Sequence, residues 1–379
     1  NVMEDGVLIA PAPYASPAAY YSPTAGRMES IEVRKGSTQI KHGPFTTGGS
    51  LNYISTPIPS SKLNSVSLDI GSFGKTLMQV RSGDVLGNFA YLIELYSDKT
   101  DGFKELDGGG DTGYGKTDFM TKLRYSFSES HALEFKYSMT DELSDETYLG
   151  LTDADFSENP LRRYRATALD EMDADHSQIM LSYAAKLNDN MSLAVVGYSN
   201  DFARNWYKLN KVNGMSLSSI AKPTADGWNE FYLLMNAENS ADDAYRIKAN
   251  NREYYSSGIQ AVFNVLAGVH DIQAGLRIHS DEMDRFQWED RYGMQGGQLV
   301  MTTQATKGSD SNRIDSAEAT ALFVEDRFTT GAMTITAGAR YEEITVKRDD
   351  WGKTDPDRSE TPSKREHTID VVVPGIGVE

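Results

Sequence analysis

From about Asn64 to the end of the chain, apolar and aromatic side chains recur at every second position. Residues 131–139 illustrate the pattern, with the apolar set Leu133, Phe135, Tyr137 and Met139. A period of two places alternate side chains on opposite faces of a β-strand. The period recurs in residues 179–187, 259–265 and 272–278. The sequence therefore predicts a long series of strands, each with one apolar and one polar face.

The connections between these strands alternate between short and long. Short turns are expected at residues 85–88, 128–130, 188–190, 267–268 and 330–331, and long loops at about 99–116, 142–172, 208–253, 286–315 and 349–366. A soluble sandwich has no reason to place its long loops at one end, whereas outer-membrane barrels have short turns at one end and long loops at the other. The alternation favours a transmembrane antiparallel β-barrel with about twelve strands in this chain, several of them about 12 to 16 residues long.

No stretch of the chain approaches the roughly 18–20 consecutive apolar residues that a membrane-spanning helix needs. Strands that alternate polar and apolar residues keep the overall hydropathy low, so a membrane barrel stays compatible with this sequence.

Charge and cysteine content exclude several classes of function. The formal net charge is −18, and binding to nucleic-acid phosphates requires an excess of Lys and Arg. A nucleic-acid partner is therefore not expected. The chain has no cysteine, so neither a disulfide framework nor a thiolate metal site can form.

The first 60 residues differ in texture from the rest. They hold seven of the 12 prolines, none of them inside a long alternating run. Proline and glycine at this density indicate a compact, turn-rich segment with short strands. We expect it to form a separate domain.

One stretch in this segment resembles a known family. It is GRMESIEVRKGSTQIKHGPFTTGGSLNYIST, residues 26–56, which resembles the C-terminal part of the plug domain of TonB-dependent outer-membrane receptors. The matching positions are Ile31, Glu32, Val33, Lys35, Gly36, Gly43, Gly48, Gly49, Asn52 and Ile54. Residues 147–183, TYLGLTDADFSENPLRRYRATALDEMDADHSQIMLSY, are similar to the ferric-citrate-type branch of that family.

The resemblance implies an architecture and a location. Residues 1–60 would be the C-terminal part of a plug inside the lumen, and residues 61–379 the N-terminal part of the barrel. Plugged barrels have about 22 strands, so the early plug, the N-terminal box that contacts the TonB complex and roughly ten strands would lie outside this chain. The implied location is the bacterial outer membrane, with lipid and lipopolysaccharide as neighbours.

The resemblance also implies a function. The full protein would be an active transporter that imports a ferric chelate, such as ferric citrate or a related carboxylate, with energy transmitted by TonB. Iron would enter only as part of the cargo, and no other cofactor is expected. The alternatives are a passive porin, a surface adhesin barrel, or a TonB-dependent importer of a substrate without iron.

Two groups of residues are candidates for ligand binding. In this family the plug apex faces the ligand, which here corresponds to residues 10–23 with Tyr14, Tyr20 and Tyr21; these rings could instead pack against the barrel wall. Arg162, Arg163 and Arg165 form the second group, because guanidinium forks match carboxylates. The alternative is pairing with lipopolysaccharide phosphates or with the nearby residues Asp170, Glu171, Asp173 and Asp175. Arg204 and Trp206 are weaker candidates of the same kind.

Catalytic and metal-binding motifs fail on spacing. The segment that starts at Asp153 begins like a calcium loop, but Glu158 and Tyr164 occupy the positions where Gly and Glu are required. The six histidines are scattered, without a pair at metal-ligand spacing. A secreted all-β carbohydrate-active enzyme would need paired acids in a cleft, and the sequence singles out none. We therefore expect no enzymatic activity.

Overall fold

The structure is a computed structural model that describes residues 1–18, 20–35, 37–44, 46, 48–217 and 234–378. The first strands are β1 (Val2–Glu4), β2 (Val7–Leu8), β3 (Met28–Arg34) and β4 (Ser50–Ser55), which form a sheet in the order β2-β1-β4-β3. We call residues 1–56 the N-terminal unit. It also contains short 3₁₀ helices at Ala25–Arg27 and Ser37–His42.

The rest of the described chain is almost entirely strand. Its strands are β5 (Leu63–Ile70), β6 (Thr76–Leu86), β7 (Phe89–Thr100), β8 (Glu105–Leu106), β9 (Tyr114–Ser128), β10 (His131–Ser144), β11 (Arg162–Arg163), β12 (Glu171–Asn188), β13 (Met191–Val212), β14 (Met215–Ser216), β15 (Tyr245–Ala267), β16 (His270–Gln295), β17 (Gln298–Thr303), β18 (Ser311–Thr330), β19 (Met333–Asp350) and β20 (Ser363–Val378). One α-helix, α1 (Asp153–Glu158), and a 3₁₀ helix at Arg165–Thr167 lie between β10 and β12.

Four of these strands, β8, β11, β14 and β17, are short. The other twelve are longer and form a single sheet, in which they are neighbours in chain order from β5 to β20. Neighbouring long strands are antiparallel throughout. The prediction of about twelve strands with alternating short and long connections is confirmed. Two of the short turns contain Gly268 and Gly331, whose φ angles of 65° and 61° are costly for side chains with a Cβ.

Several strands are longer than the sequence predicted. β16 has 26 residues, and the expected loop at 286–315 was wrong in extent because β16 continues to Gln295 and turns through Gly296–Gly297 into β17. The expected loop at 208–253 shrinks to the connection between β13 and β15, of which residues 218–233 lie outside the described residues.

The large sheet buries many polar side chains on one face and exposes apolar side chains on the other, which is the reverse of the arrangement in a soluble protein. On β12, His176, Gln178 and Met180 are buried, whereas Ile179 and Leu181 are 49% and 47% exposed. Exposed apolar side chains recur on β15, β16 and β18. Soluble proteins rarely expose contiguous apolar surface on this scale. A strand with its apolar face outward suits contact with lipid.

The N-terminal unit covers the polar face. Gln79 on β6 donates to the Gly26 carbonyl at 2.8 Å, and Arg340 on β19 donates to the Lys41 carbonyl at 3.2 Å. A flat sheet would hold β6 and β19 about 40 Å apart, too far for one small unit to contact both. The sheet therefore curves around the N-terminal unit.

These features confirm the all-β fold class with its large antiparallel sheet. The division into a plug at residues 1–60 and a barrel from residue 61 stays a prediction. No helix in the described part of the chain is long and apolar enough to cross a membrane.

Candidate ligand-binding site: an arginine row on the polar face

Four arginines stand side by side on four neighbouring strands of the large sheet. Arg204 on β13 is directly opposite Arg252 on β15, Arg252 is opposite Arg285 on β16, and Arg285 is opposite Arg313 on β18. Residues paired in this way point to the same face, with Cα atoms about 4.5–5.5 Å apart. We call these four residues the arginine row.

The arginine row is short of carboxylates. Within the described residues, Arg204 Nη1 donates to the Asn250 carbonyl at 3.3 Å, Arg252 Nη1 to the Tyr254 hydroxyl at 3.2 Å, and Arg285 Nε to Gln287 at 3.1 Å.

Arg313 is the member of the arginine row with an ion pair. Its Nε lies 2.9 Å from Asp315, which also contacts Arg348. Like charges placed directly opposite each other on a sheet are destabilising, and among the described residues only Arg313 of the row has an ion pair that offsets this cost.

Some of the donors in the row are also unused. Arg204 is 2% exposed, and its Nε and Nη2 have no hydrogen-bond partner among the described residues; the same is true of Arg252 Nε. A buried charged donor without a partner costs more than the bond itself would contribute. Such donors favour an anionic ligand that supplies the missing acceptors.

Tyr20 of the N-terminal unit closes one side of the arginine row. The Arg204 guanidinium lies 3.9 Å from the centre of the Tyr20 ring, and the Arg252 guanidinium lies 5.4 Å from it. These are cation–π distances. Tyr20 as a whole residue is 37% exposed, so it keeps an accessible surface beside two arginines.

An aromatic clamp lies further along β13, toward the long loops. Tyr148 from the loop after β10 stacks on Trp206 at 4.3 Å, and Lys208 Nζ lies 3.1 Å from the Tyr148 ring centre. Arg204, Trp206 and Lys208 are spaced two apart on one strand, so they share a face. The clamp therefore borders the arginine row on its loop side.

Tyr14 and Tyr21 are placed differently from Tyr20. Tyr14 is buried, and its backbone N–H donates to Asp281 at 2.7 Å. Tyr21 is buried and stacked on His176 at 3.6 Å. Both rings pack between the N-terminal unit and the sheet, which is the alternative that the sequence left open. Their contact with ligand stays a prediction.

Arg162 and Arg163 hold the loop between β10 and β12 together. Arg162 reaches Asp155 at 2.6 Å and Asp107 at 3.1 Å, and these carboxylates differ from the neighbours that the sequence suggested. Arg163 is buried and donates to the carbonyls of Asp145, Thr167 and Asp170 at 2.6–3.0 Å.

Arg165 has a different setting from Arg162 and Arg163. It lies near Gly108 and Gly297, and its Nε lacks a described partner. The structure does not bring these three arginines into one site with the tyrosines, and their ligand role stays a prediction.

A balanced charge network joins the N-terminal unit to β9 and β10. Arg27 is fully buried and pairs with Glu4 at 2.5 Å and Asp118 at 2.9 Å. Lys136 pairs with Glu4 at 2.5 Å and with Asp5 at 2.7 Å. Burial raises the pKa of Glu4, but Arg27 and Lys136 outweigh burial and hold that pKa well below its usual value.

A family model supplies the deciding comparison. The model for "TonB dependent receptor-like, beta-barrel" matches residues 60–379. The chain belongs to the TonB-dependent receptor family. This is a family of transporters and receptors of the bacterial outer membrane, not of enzymes.

Solved structures show the same fold. The ferric citrate transporter FecA in its unliganded form matches with a TM-score of 0.72 at 19% identity, covering 100% of this chain and 51% of that one. The siderophore receptor PiuA from Acinetobacter baumannii matches at 0.76 and 13%, covering 100% and 54%. The ferric yersiniabactin receptor FyuA from Yersinia pestis matches at 0.69 and 13%, covering 100% and 52%. The chain thus spans about half the length of these structures.

Among the described residues, no cluster of three or more His, Asp or Glu could hold a metal ion.

Sequence reasoning missed most of the arginine row. Arg204 was singled out as a weak candidate, whereas Arg252, Arg285 and Arg313 were not. One signal was present: Arg252 and Arg285 lie at equal distances from the short turn at Gly268, so the hairpin register pairs them.

Proposed function

We propose that this chain is part of an outer-membrane active transporter that imports an anionic ferric chelate of the carboxylate class, such as ferric citrate. The arginine row and Tyr20 would contact the chelate, and the N-terminal unit would act as the plug that TonB displaces. The observation that carries the proposal is the row itself: like-charged side chains stand opposite one another, and no described carboxylate forms an ion pair with Arg204, Arg252 or Arg285.

The position of the row supports this role. It lies on the face that the N-terminal unit covers, and Tyr20 and Arg204 join the two parts. A ligand bound there would contact both the wall and the proposed plug. Guanidinium groups bind carboxylates through two parallel hydrogen bonds, and a ferric tricarboxylate carries several such groups.

Uptake of radioactive iron tests the proposal. The full-length protein would be expressed in a bacterial strain that lacks its own ferric-chelate receptors, and uptake would be compared for ferric citrate and an uncharged ferric hydroxamate. We expect uptake of ferric citrate that stops when a protonophore collapses the proton-motive force.

Two results would contradict the proposal in different ways. Uptake that persists without the proton-motive force would indicate a passive porin. Absence of uptake for every ferric chelate, with the protein present in the outer membrane, would indicate an adhesin or an importer of a substrate without iron.

A further inference from the structure

A second basic cavity lies at the interface between the N-terminal unit and the sheet, away from the arginine row. Its volume is about 230 Å³, and its polar lining comes from the second 3₁₀ helix of the unit and from β15, β16 and β19. The polar side chains are Lys41, His42, Gln260, Gln273, Arg277 and Arg340.

Several nitrogen atoms around this cavity are buried without a partner. Arg277 and Arg340 are 6% and 3% exposed. Arg277 Nε, Arg340 Nη2 and His42 Nε2 make no hydrogen bond with any described residue. Buried polar atoms in native proteins are almost always hydrogen-bonded, so these three atoms favour the binding of a polar group in the cavity.

The charges at the cavity do not balance. Arg340 contacts Glu342, and Lys41 Nζ lies 3.5 Å from Glu325. Glu325 Oε2 itself has no hydrogen bond, but its carboxylate already faces Lys41. Within the described residues, Arg277 donates to the Gly43 carbonyl at 2.6 Å and forms no ion pair with a carboxylate. One guanidinium is therefore left without a counter-charge in a buried place, which is costly.

His42 reports the same excess of positive charge. Burial lowers its pKa, and Lys41, Arg34, Arg277 and Arg340 lower it further, to about 3. The imidazole is therefore neutral at physiological pH. A neutral ring can place either a donor or an acceptor toward a ligand.

We propose that this cavity binds a small oxyanion, a carboxylate or a phosphate, between Arg277, Arg340 and His42. A water molecule occupies about 30 Å³ of liquid, so 230 Å³ accommodates an anion with several oxygens. Arg277 and Arg285 lie eight residues apart on β16, or about 26 Å along the strand. The cavity is thus separate from the arginine row, and its assignment does not depend on the identity of the transported cargo.

Its place in the fold gives the cavity a role. Arg277 lies near the short-turn end of β16, whereas Arg285 lies toward the long loops, and both face the N-terminal unit. Between these two arginines on the same face of β16, the Asp281 carboxylate accepts hydrogen bonds from the backbone amides of Tyr14 and Ala15. An anion in the cavity would therefore link the sheet to the N-terminal unit through Arg277 and His42.

Anomalous X-ray diffraction from crystals of the full-length protein soaked in selenate tests this site. We expect a selenium peak between Arg277 and Arg340, in addition to any peak at the arginine row. Arg277→Gln should remove the peak between Arg277 and Arg340, or raise the selenate concentration for its half occupancy about tenfold or more. The reason is that one charge-assisted hydrogen bond contributes about 1.5–3 kcal/mol. Arg252→Gln should leave the peak between Arg277 and Arg340 unchanged.

Lys41→Met serves as a second variant, which changes the N-terminal unit and leaves the strands of the large sheet unchanged. It removes a cation facing His42 and should weaken selenate binding in the cavity. Absence of a peak there in the unmodified protein, or a peak of equal occupancy in Arg277→Gln, would overturn the proposal. Because the readout is local, a failure of iron uptake would not affect it.

Discussion

Two parts of the polar face use buried charge in opposite ways. Beneath the N-terminal unit, Arg27 and Lys136 meet Glu4 and Asp118, and the opposite charges are in direct contact. At the arginine row, Arg204, Arg252 and Arg285 lie side by side on three neighbouring strands.

Balanced buried charges can fix two parts of a structure in one geometry, whereas unbalanced charges raise the free energy until a ligand neutralises them. The comparison assigns attachment of the N-terminal unit to the first region and ligand capture to the second.

The largest expected effect comes from breaking the balanced network. Arg27→Met leaves Glu4 and Asp118 buried without their guanidinium partner, which should reduce the stability of the N-terminal unit by about 3–5 kcal/mol. Hydrogen exchange of the backbone amides in residues 1–56 measures this loss.

Lys186→Gln is the matched control, because the Lys186–Asp189 pair at 2.8 Å is largely exposed, at 59% and 95%. It should change stability by less than about 0.5 kcal/mol. Equal protection in Arg27→Met and Lys186→Gln would contradict the attachment role.

A buried carboxyl group without an ion-pair partner among the described residues should give the loop around it a pH-dependent stability, in contrast to the network around Glu4. Asp170 accepts hydrogen bonds from Thr147 and from the Leu209 amide, at 2.7 and 2.6 Å, and burial raises its pKa to about 7. Its unfolded pKa is lower, so the folded loop binds more protons between these two values and loses stability as pH rises.

The consequence is a pH-dependent opening of the loop at residues 145–170. Opening should increase about tenfold from pH 5 to pH 6, since one pKa unit corresponds to about 1.4 kcal/mol. Hydrogen exchange corrected for its intrinsic rate measures this change, and Asp170→Asn should abolish it. The network around Glu4 should not respond over the same range, because the pKa of Glu4 is lowered. A flat profile for the loop would refute the assignment.

In the absence of ligand, removing a charge from the arginine row should raise the stability of the protein, whereas removing a charge from the network around Glu4 should lower it. Arg252→Gln removes one like-charge contact on each side, so the ligand-free protein should gain up to about 1 kcal/mol of stability. Chemical denaturation of the purified full-length protein measures this difference. A clear loss of stability would show that Arg252 is neutralised within the protein.

A smaller effect is expected at Tyr20. Tyr20→Leu removes two cation–π contacts with Arg204 and Arg252, each worth about 0.5–1 kcal/mol when partly exposed. Chelate affinity measured by calorimetry should fall by about fivefold to thirtyfold. Tyr21→Leu would not match this change, because Tyr21 stacks on His176 away from the arginine row; it should affect stability instead.

The sequence predicted the sheet well because a period of two is a property of each strand alone. The short turns and long loops were also local signals. The excess length of β16 was missed, because its extension beyond residue 286 depends on pairing with β15 and then with β17.

The arginine row depends on register across four strands, which no single strand encodes. The sequence favoured Arg162 and Arg163 because three arginines were adjacent in the chain, but these two found partners in Asp155, Asp107 and loop carbonyls. Adjacent position in the sequence did not bring these arginines together with the tyrosines in one site, and their ligand role stays a prediction. The polar face, by contrast, brings together arginines from β13, β15, β16 and β18.

The most direct test of the central claim is a calorimetric measurement of ferric citrate binding to the full-length protein and to the double variant Arg252→Gln/Arg285→Gln. The matched control is Lys116→Gln, on the same face, where Lys116 already pairs with Glu142 at 2.9 Å. We predict that the double variant loses about a hundredfold or more in affinity while the control keeps it. Equal affinity in the double variant and the unmodified protein would contradict the account.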